Sequence, residues 1–320
     1  LGYIRLRVLL ELCETIKLRQ MKIVVTGSLG PISKPLATQL VAQGHAVTVV
    51  SSSADKQAAI EALGANAAIG SVEDVAFLTR TFTGADAAYL MEPTVNMFDP
   101  TVDVLRHYEG ICEKYVQAIL ASRLTRIVHL SSVGGHSNTG TGMLAFHYYA
   151  EQALKKLPES VAITTLRPMS FYANILAFLP TIKTQQAIIS SYYAAEPEPW
   201  SSPLDIAAAA AEALTTPAAG RHVRYLISDE VSSEKLVRVL GAAIGQEINW
   251  VTVPHAALEQ AYLDFGMSAQ AAHGFAELNE AKNSGTLYAD LAQHRAAVTH
   301  GQVKIEDFAQ EFARIYQSTK

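Results

Sequence analysis

The chain has little cysteine: Cys13 and Cys112 are its only two, and their separation matches neither a disulfide framework nor a metal-ligand spacing. That excludes a disulfide-stapled scaffold and points to a reducing compartment, the cytoplasm. No apolar run approaches the roughly 20 residues a membrane helix needs, so no membrane partner is expected. Basic charge is also sparse, with 25 Lys and Arg against 30 Asp and Glu and a formal net charge of −5. No basic block is long enough to follow a phosphate backbone, so no nucleic-acid partner is expected, although one small anionic cofactor remains compatible. His273, His294 and His300 have no partners at ligand spacing, and no metal site is expected.

What is present is apolar: hydrophobic residues make up 49% of the 320, and charged residues only 17%. A large core follows, and disorder does not. Residues 1–20 mix leucines with Arg5, Arg7, Glu11, Glu14, Lys17 and Arg19, and no small-residue cleavage site follows them. They read as an extension before a natural start at Met21, with a short amphipathic helix as the alternative.

From Met21 short β-branched runs alternate with helical stretches, the pattern of a parallel sheet covered on both faces. Strands are expected at 22–26, 46–50, 67–69, 87–91, 126–130 and 162–166. Helices are expected at 32–43, 55–63, 75–82, 104–122 and 144–157. The rhythm breaks between Tyr172 and Trp200, then an Ala-rich helix at 204–214 and a seventh strand at 223–227 follow. Beyond Ser232 the chain reads as mostly helical. The expected fold is α/β, a doubly wound parallel Rossmann sheet with a smaller, mostly helical C-terminal domain. Its dinucleotide-binding part covers 21–175, with 203–228 returning to it, and 176–202 and 229–320 form the smaller substrate domain.

The loop Gly27-Ser28-Leu29-Gly30-Pro31-Ile32-Ser33 joins the first strand to its helix. A glycine-rich turn there lets backbone N–H groups approach a pyrophosphate at the helix N-terminus. Gly27 permits the sharp turn and Gly30 the close approach, while Ser33 stands where a third glycine is usual. Pro35 removes a donor from the first turns of that helix. At the end of the second strand an acid would favour a free ribose 2′-hydroxyl. This chain has Ser51, Ser52 and Ser53 there, with Asp55 and Lys56 just beyond. Ser52, Ser53 and Lys56 suit a 2′-phosphate, so NADP(H) is favoured over NAD(H); a polar turn with an N-cap is the alternative.

With these segments the chain resembles the NmrA-like branch of the atypical short-chain dehydrogenases/reductases. The residues that carry the likeness are the Gly27–Ser33 loop, His129-Leu130-Ser131-Ser132, His147-Tyr148-Tyr149-Ala150-Glu151, the run from Leu166 to Asn174, and Pro203-Leu204-Asp205. The resemblance implies an NAD(P)(H)-binding protein that either reduces quinones and similar acceptors or senses the cofactor without turnover. It places the backbone from Pro168 to Phe171 beside the nicotinamide. Ser131 and Ser132 fall at the carboxyl end of the fifth strand, where one reading has them face cofactor or substrate and the other makes them turn residues. Asn174 and Tyr172 are candidates to meet the acceptor, with a helix cap as the alternative for Asn174. Asp205 is expected to cap the Ala-rich helix.

One departure from the family pattern matters. Relatives with the usual dyad carry Tyr and, four residues on, Lys; here those places hold His147 and Glu151. A carboxylate cannot depress the pKa of a neighbouring acid, so that dyad does not operate. The i,i+4 pair is expected to hydrogen-bond internally or to the cofactor ribose. His147 is the candidate to polarise an acceptor oxygen or relay a proton, against a role that merely orients the helix. The aromatic run Phe171, Tyr172, Phe178, Tyr192, Tyr193 and Trp200 suits either a planar acceptor or a small-domain core. The expected activity is hydride transfer to a small-molecule acceptor, and a homodimer is the assembly considered.

Overall fold

The structure is a computed structural model that describes residues 19–318. The reading of the N-terminal extension therefore falls almost entirely outside the described residues. Eight strands form the main sheet: β1 (Lys22–Val25), β2 (Ala46–Ser51), β3 (Asn66–Ile69), β4 (Ala87–Leu90), β5 (Arg126–Leu130), β6 (Ala162–Pro168), β10 (Arg221–Ile227) and β13 (Thr299–His300). Their order is β13-β10-β6-β5-β4-β1-β2-β3, and every pairing is parallel. In β1, Ile23 stands opposite Val47 on one side and Ala87 on the other.

The interior of the central strands β1, β2 and β4 is mostly apolar because both faces are covered. Successive residues alternate between two cores, as a pleat requires. Ile23, Val25, Val47, Val49, Ala87 and Tyr89 point to one core, and Val24, Val50, Ala88 and Leu90 to the other. Helix α1 (Ser33–Ala42) and the Ala-rich helix α7 (Pro203–Thr215) fill the first core. The second is filled by α3 (Val75–Phe82), α4 (Val104–Ser122) and α5 (Ala145–Leu154). Asp103 caps α4 by accepting the Arg106 N–H at 3.2 Å, as an N-cap carboxylate should.

The smaller region has its own core around Tyr172, Ile182, Trp200, Leu240, Phe308 and Phe312. It is more than helical. Strands β7 (Ser170–Phe171), β9 (Glu198–Ser201) and β11 (Asp229–Val231) form one small sheet, and β8 (Ala187–Ser190) with β12 (Asn249–Thr252) another. Strand β13 leaves this region to extend the main sheet, placing Thr299 opposite Leu226. Strands of two to four residues carry too few alternations to register as a period, which is why the sequence hides them.

Candidate functional site

The site begins at the carboxyl ends of the neighbouring strands β1 and β4, on either side of the order reversal that opens a crevice in such sheets. Gly27 has φ +90°, and a Cβ there would come within 2.3 Å of Met91 Sδ and 2.5 Å of Ser33 Oγ. Only glycine fits. Ser28 also lies in the left-handed region, at φ 54°, held by its N–H to Val50 O at 3.0 Å and its hydroxyl to Ser51 Oγ at 2.9 Å. Gly30 N–H closes the turn on Gly27 O at 3.1 Å. Leu29 and Gly30 are half-buried, Pro31 is exposed and Ile32 is buried under the helix start.

Ser33 replaces the third glycine without loosening the motif. It is fully buried and its hydroxyl donates to Thr26 O at 2.8 Å, tying helix to strand. Pro35 costs no helical hydrogen bond, because it falls among the first four residues, whose N–H groups lack intrahelical acceptors in any case. The N-terminus of α1 has no side-chain cap and no acidic residue in its first turn. Its positive end is thus open to an anionic group, which fits a dinucleotide pyrophosphate. At the tip of β2, Ser51 is buried and accepts the Ser53 N–H at 3.2 Å, while Ser52 and Lys56 are exposed and Ser53 is half-buried.

Glu151 does not bond His147. Its carboxylate takes two N–H bonds from Arg167, Nε to Oε1 at 2.9 Å and Nη2 to Oε2 at 2.7 Å. Ser131 donates to the same Oε1 at 2.6 Å. Arg167 Nη1 continues to Asp290 Oδ2 at 2.8 Å and to the Tyr225 hydroxyl at 3.0 Å, and Tyr225 itself donates to Asp290. A Cβ on Gly135 would lie 2.7 Å from both Glu151 Oε1 and Ser131 Oγ, so backbone covers the pair. Burial opposes the Arg167 charge, but its bonds to Glu151 raise its pKa further above the ordinary value. The expected cofactor contacts of Ser131 and Glu151 thus fall on side chains already engaged inside the protein.

His147 is half-buried against Phe146, ring centroids 4.1 Å apart, and its Nδ1 has no hydrogen-bond partner among the described residues. Desolvation pushes its pKa down to about 3, so the ring is neutral near pH 7. A neutral imidazole can polarise an oxygen by hydrogen bonding but carries no extra proton to give.

A second polar cluster was invisible to spacing. His129 Nε2 meets Glu92 Oε1 at 2.9 Å, and Cys112 Sγ donates to that same oxygen at 2.9 Å, all three buried. Burial works against both charges, yet the Glu92 charge raises the His129 pKa, and His129 in turn lowers that of Glu92. Burial and the carboxylate hold the Cys112 thiol well above its usual value, so it stays protonated. An acid immediately after a buried fourth strand was the one available sequence signal for Glu92.

Ser132 is 8% exposed at the carboxyl end of β5, and its hydroxyl has no protein partner among the described residues. Pro168 ends β6, where its carbonyl accepts the Val133 N–H at 2.9 Å, and Phe171 beside it is half-buried. Two expected acceptor contacts separate. Tyr172 is only 1% exposed, stacked between Trp200 and Phe308 at 6.0 and 5.4 Å, and it donates to Val303 O: it is a core residue. Asn174 is exposed within a short 3-10 segment and caps no helix. Asp205 is not the cap of α7, which is Ser202. It instead accepts the N–H groups of Gln302 and Val303 at 3.0 and 3.1 Å and the Ser228 hydroxyl at 2.6 Å, pinning the C-terminal segment to the sheet.

Among solved structures the chain is similar to a Staphylococcus aureus nucleoside-diphosphate-sugar epimerase, at 17% identity and a TM-score of 0.73 over 91% of this chain and 100% of that one. It is likewise similar to an Escherichia coli NADPH-dependent quinone oxidoreductase complexed with NADPH, at 18% and 0.72 over 90% and 99%. A Citrobacter triphenylmethane reductase complexed with NADP(H) follows at 16% and 0.70 over 91% and 99%. Among curated proteins none matches the sequence significantly. At these identities the structural likenesses establish the fold. The model of the NmrA-like family, however, matches residues 19–309, nearly the whole chain and the entire site, and the chain belongs to that family.

Proposed function

We propose that this protein is a reductase that transfers hydride from NADPH to a quinone or a similar small electrophilic acceptor. The observation that carries the reading is the Gly27–Ser33 loop, with its uncapped helix start facing the crevice between β1 and β4. NADPH, when bound, supplies the hydride from its nicotinamide ring. Backbone N–H groups of the loop hold the pyrophosphate, and Ser52, Ser53 and Lys56 hold the 2′-phosphate. Pro168 and Phe171 wall the nicotinamide, and the partner-free hydroxyl of Ser132 donates to the acceptor oxygen. His147 adds a neutral hydrogen bond.

The absence of the Tyr/Lys dyad selects the acceptor. Glu151 is committed to Arg167, and His147 stays unprotonated near neutrality, so neither residue at the dyad positions is set up as an acid. A quinone suits this site because water can protonate its reduced oxygens, leaving positioning as the main protein contribution. The neighbours named as a quinone oxidoreductase and a dye reductase support the choice. The test is loss of NADPH absorbance with a panel of small quinones. Tight NADP binding without acceptor-dependent oxidation would sink the reductase. That result would favour the second reading, an NADP(H) sensor acting through protein partners, which the engaged state of Glu151 recommends.

A further inference from the structure

Between the segment 192–199 and the end of helix α10 (Ala269–Asn283) lies a cavity of about 400 Å³, within the range that holds small molecules. Tyr192, Tyr193, Tyr288 and Pro197 supply rings to its walls, and Lys282 and Glu198 also line it. These last two are 9% exposed each. Tyr192 donates to Glu198 Oε1 at 2.7 Å and Tyr288 to Oε2 at 3.1 Å, so the carboxylate is satisfied on both oxygens. The Lys282 ammonium lies over the Tyr192 ring at 4.3 Å and the Trp200 ring at 5.4 Å.

Lys282 is less well served than its partner. An ammonium has three donors, and among the described residues only the Tyr192 hydroxyl, at 3.2 Å, is within hydrogen-bond distance. Glu198 stands beyond that distance, at 3.6 Å. A desolvated donor with N–H groups to spare is costly unless an acceptor meets it. Burial also lowers its pKa, Glu198 opposing, which marks the group as poorly solvated. The charge count then narrows the ligand. The lining cations are both paired, Lys282 with Glu198 at 3.6 Å and Arg295 with Glu230 at 3.4 Å, and Glu196 adds a further carboxylate, so an anion would meet unbalanced negative charge, whereas a neutral oxygen would not. Ring-lined walls favour a planar aromatic body.

We propose that this cavity binds a neutral, planar aromatic carbonyl compound, its oxygen accepting from Lys282 and its ring lying against Tyr192 and Tyr288. The site needs no dinucleotide, so its test is independent of the reductase reading.

Acetophenone and benzoate share a ring but differ in charge, and they are the probes. The chain has two tryptophans. Both border the cluster, Trp200 beneath Lys282 and Trp250 through its Nε1 bond to Tyr192 O at 2.8 Å. Intrinsic fluorescence, checked by titration calorimetry, therefore reads occupancy directly. Saturable binding of acetophenone is expected, with benzoate weaker and Lys282→Met weakening acetophenone about tenfold. Should Lys282→Met fail to fold, Tyr193→Ala at the 45% exposed wall is expected to weaken it as well. No saturable acetophenone binding overturns the proposal. So do equal affinity in the folded variants and benzoate binding as tightly as the ketone.

Discussion

Arg167 grips Glu151 with two parallel hydrogen bonds, 2.9 and 2.7 Å long, and Glu151 stands at the position that the Tyr/Lys dyad gives to lysine. The pair is buried, 8% and 4% of the side chains remaining exposed. Removing one member strands the other charge. Arg167→Met is expected to cost about 3–5 kcal/mol in urea unfolding, and adding Glu151→Leu to recover part of that loss. A single-variant loss below about 1 kcal/mol would show that the network does not hold the fold.

The turn between β1 and α1, proposed to hold the pyrophosphate, depends on one glycine. Gly27→Ala puts a Cβ against Met91 and Ser33 in a backbone conformation alanine resists. The expected cost is about 1–3 kcal/mol, with dinucleotide affinity falling further because the turn must open. Thermal melts with and without NADPH measure both. Unchanged cofactor stabilisation in the variant would remove the loop from the site.

Lys56 is exposed and lies just beyond the β2 tip. If it meets a 2′-phosphate, Lys56→Ala weakens NADPH by about three- to tenfold and leaves NADH unchanged. Fluorescence titration with the two cofactors decides it. An equal effect on both would mean that Lys56 serves only as general positive charge.

His147 links stability to acid. Its folded pKa, about 3, lies below the unfolded value of 6.5, so between these the unfolded chain binds the extra proton. Its contribution is whole above pH 6.5 and is lost as pH falls towards 3, by at most ~1.4 kcal/mol per pH unit and less for a half-buried ring. His147→Gln is expected to flatten the acid limb of the melting-temperature profile. His129, with its pKa raised, acts in the opposite window: its contribution is present below 6.5 and declines as pH rises through the folded value. An acid limb identical in wild type and His147→Gln would mean that the ring titrates alike in the folded and unfolded chain.

Much of the fold was legible because its signals are local. Helix 104–122 was read with its observed bounds, since Asp103 supplies the cap and apolar positions recur with helical period. The six early strands agree to within two residues. The glycine turn after β1 was also legible, and Ser33 strengthens it through a bond to Thr26 that spacing cannot show.

The sequence by itself determined the alternation of strands and helices, the two-faced burial of the sheet and the position of the glycine turn after β1, all consequences of neighbouring residues and short periods. Only the tertiary structure decided that Glu151 belongs to Arg167, that Tyr172 is core, and that Asp205 pins the C-terminal segment. The reason is distance along the chain. Arg167 and Asp290 are 123 positions apart, and no local propensity tells a buried charge which distant partner the sheet will bring to it.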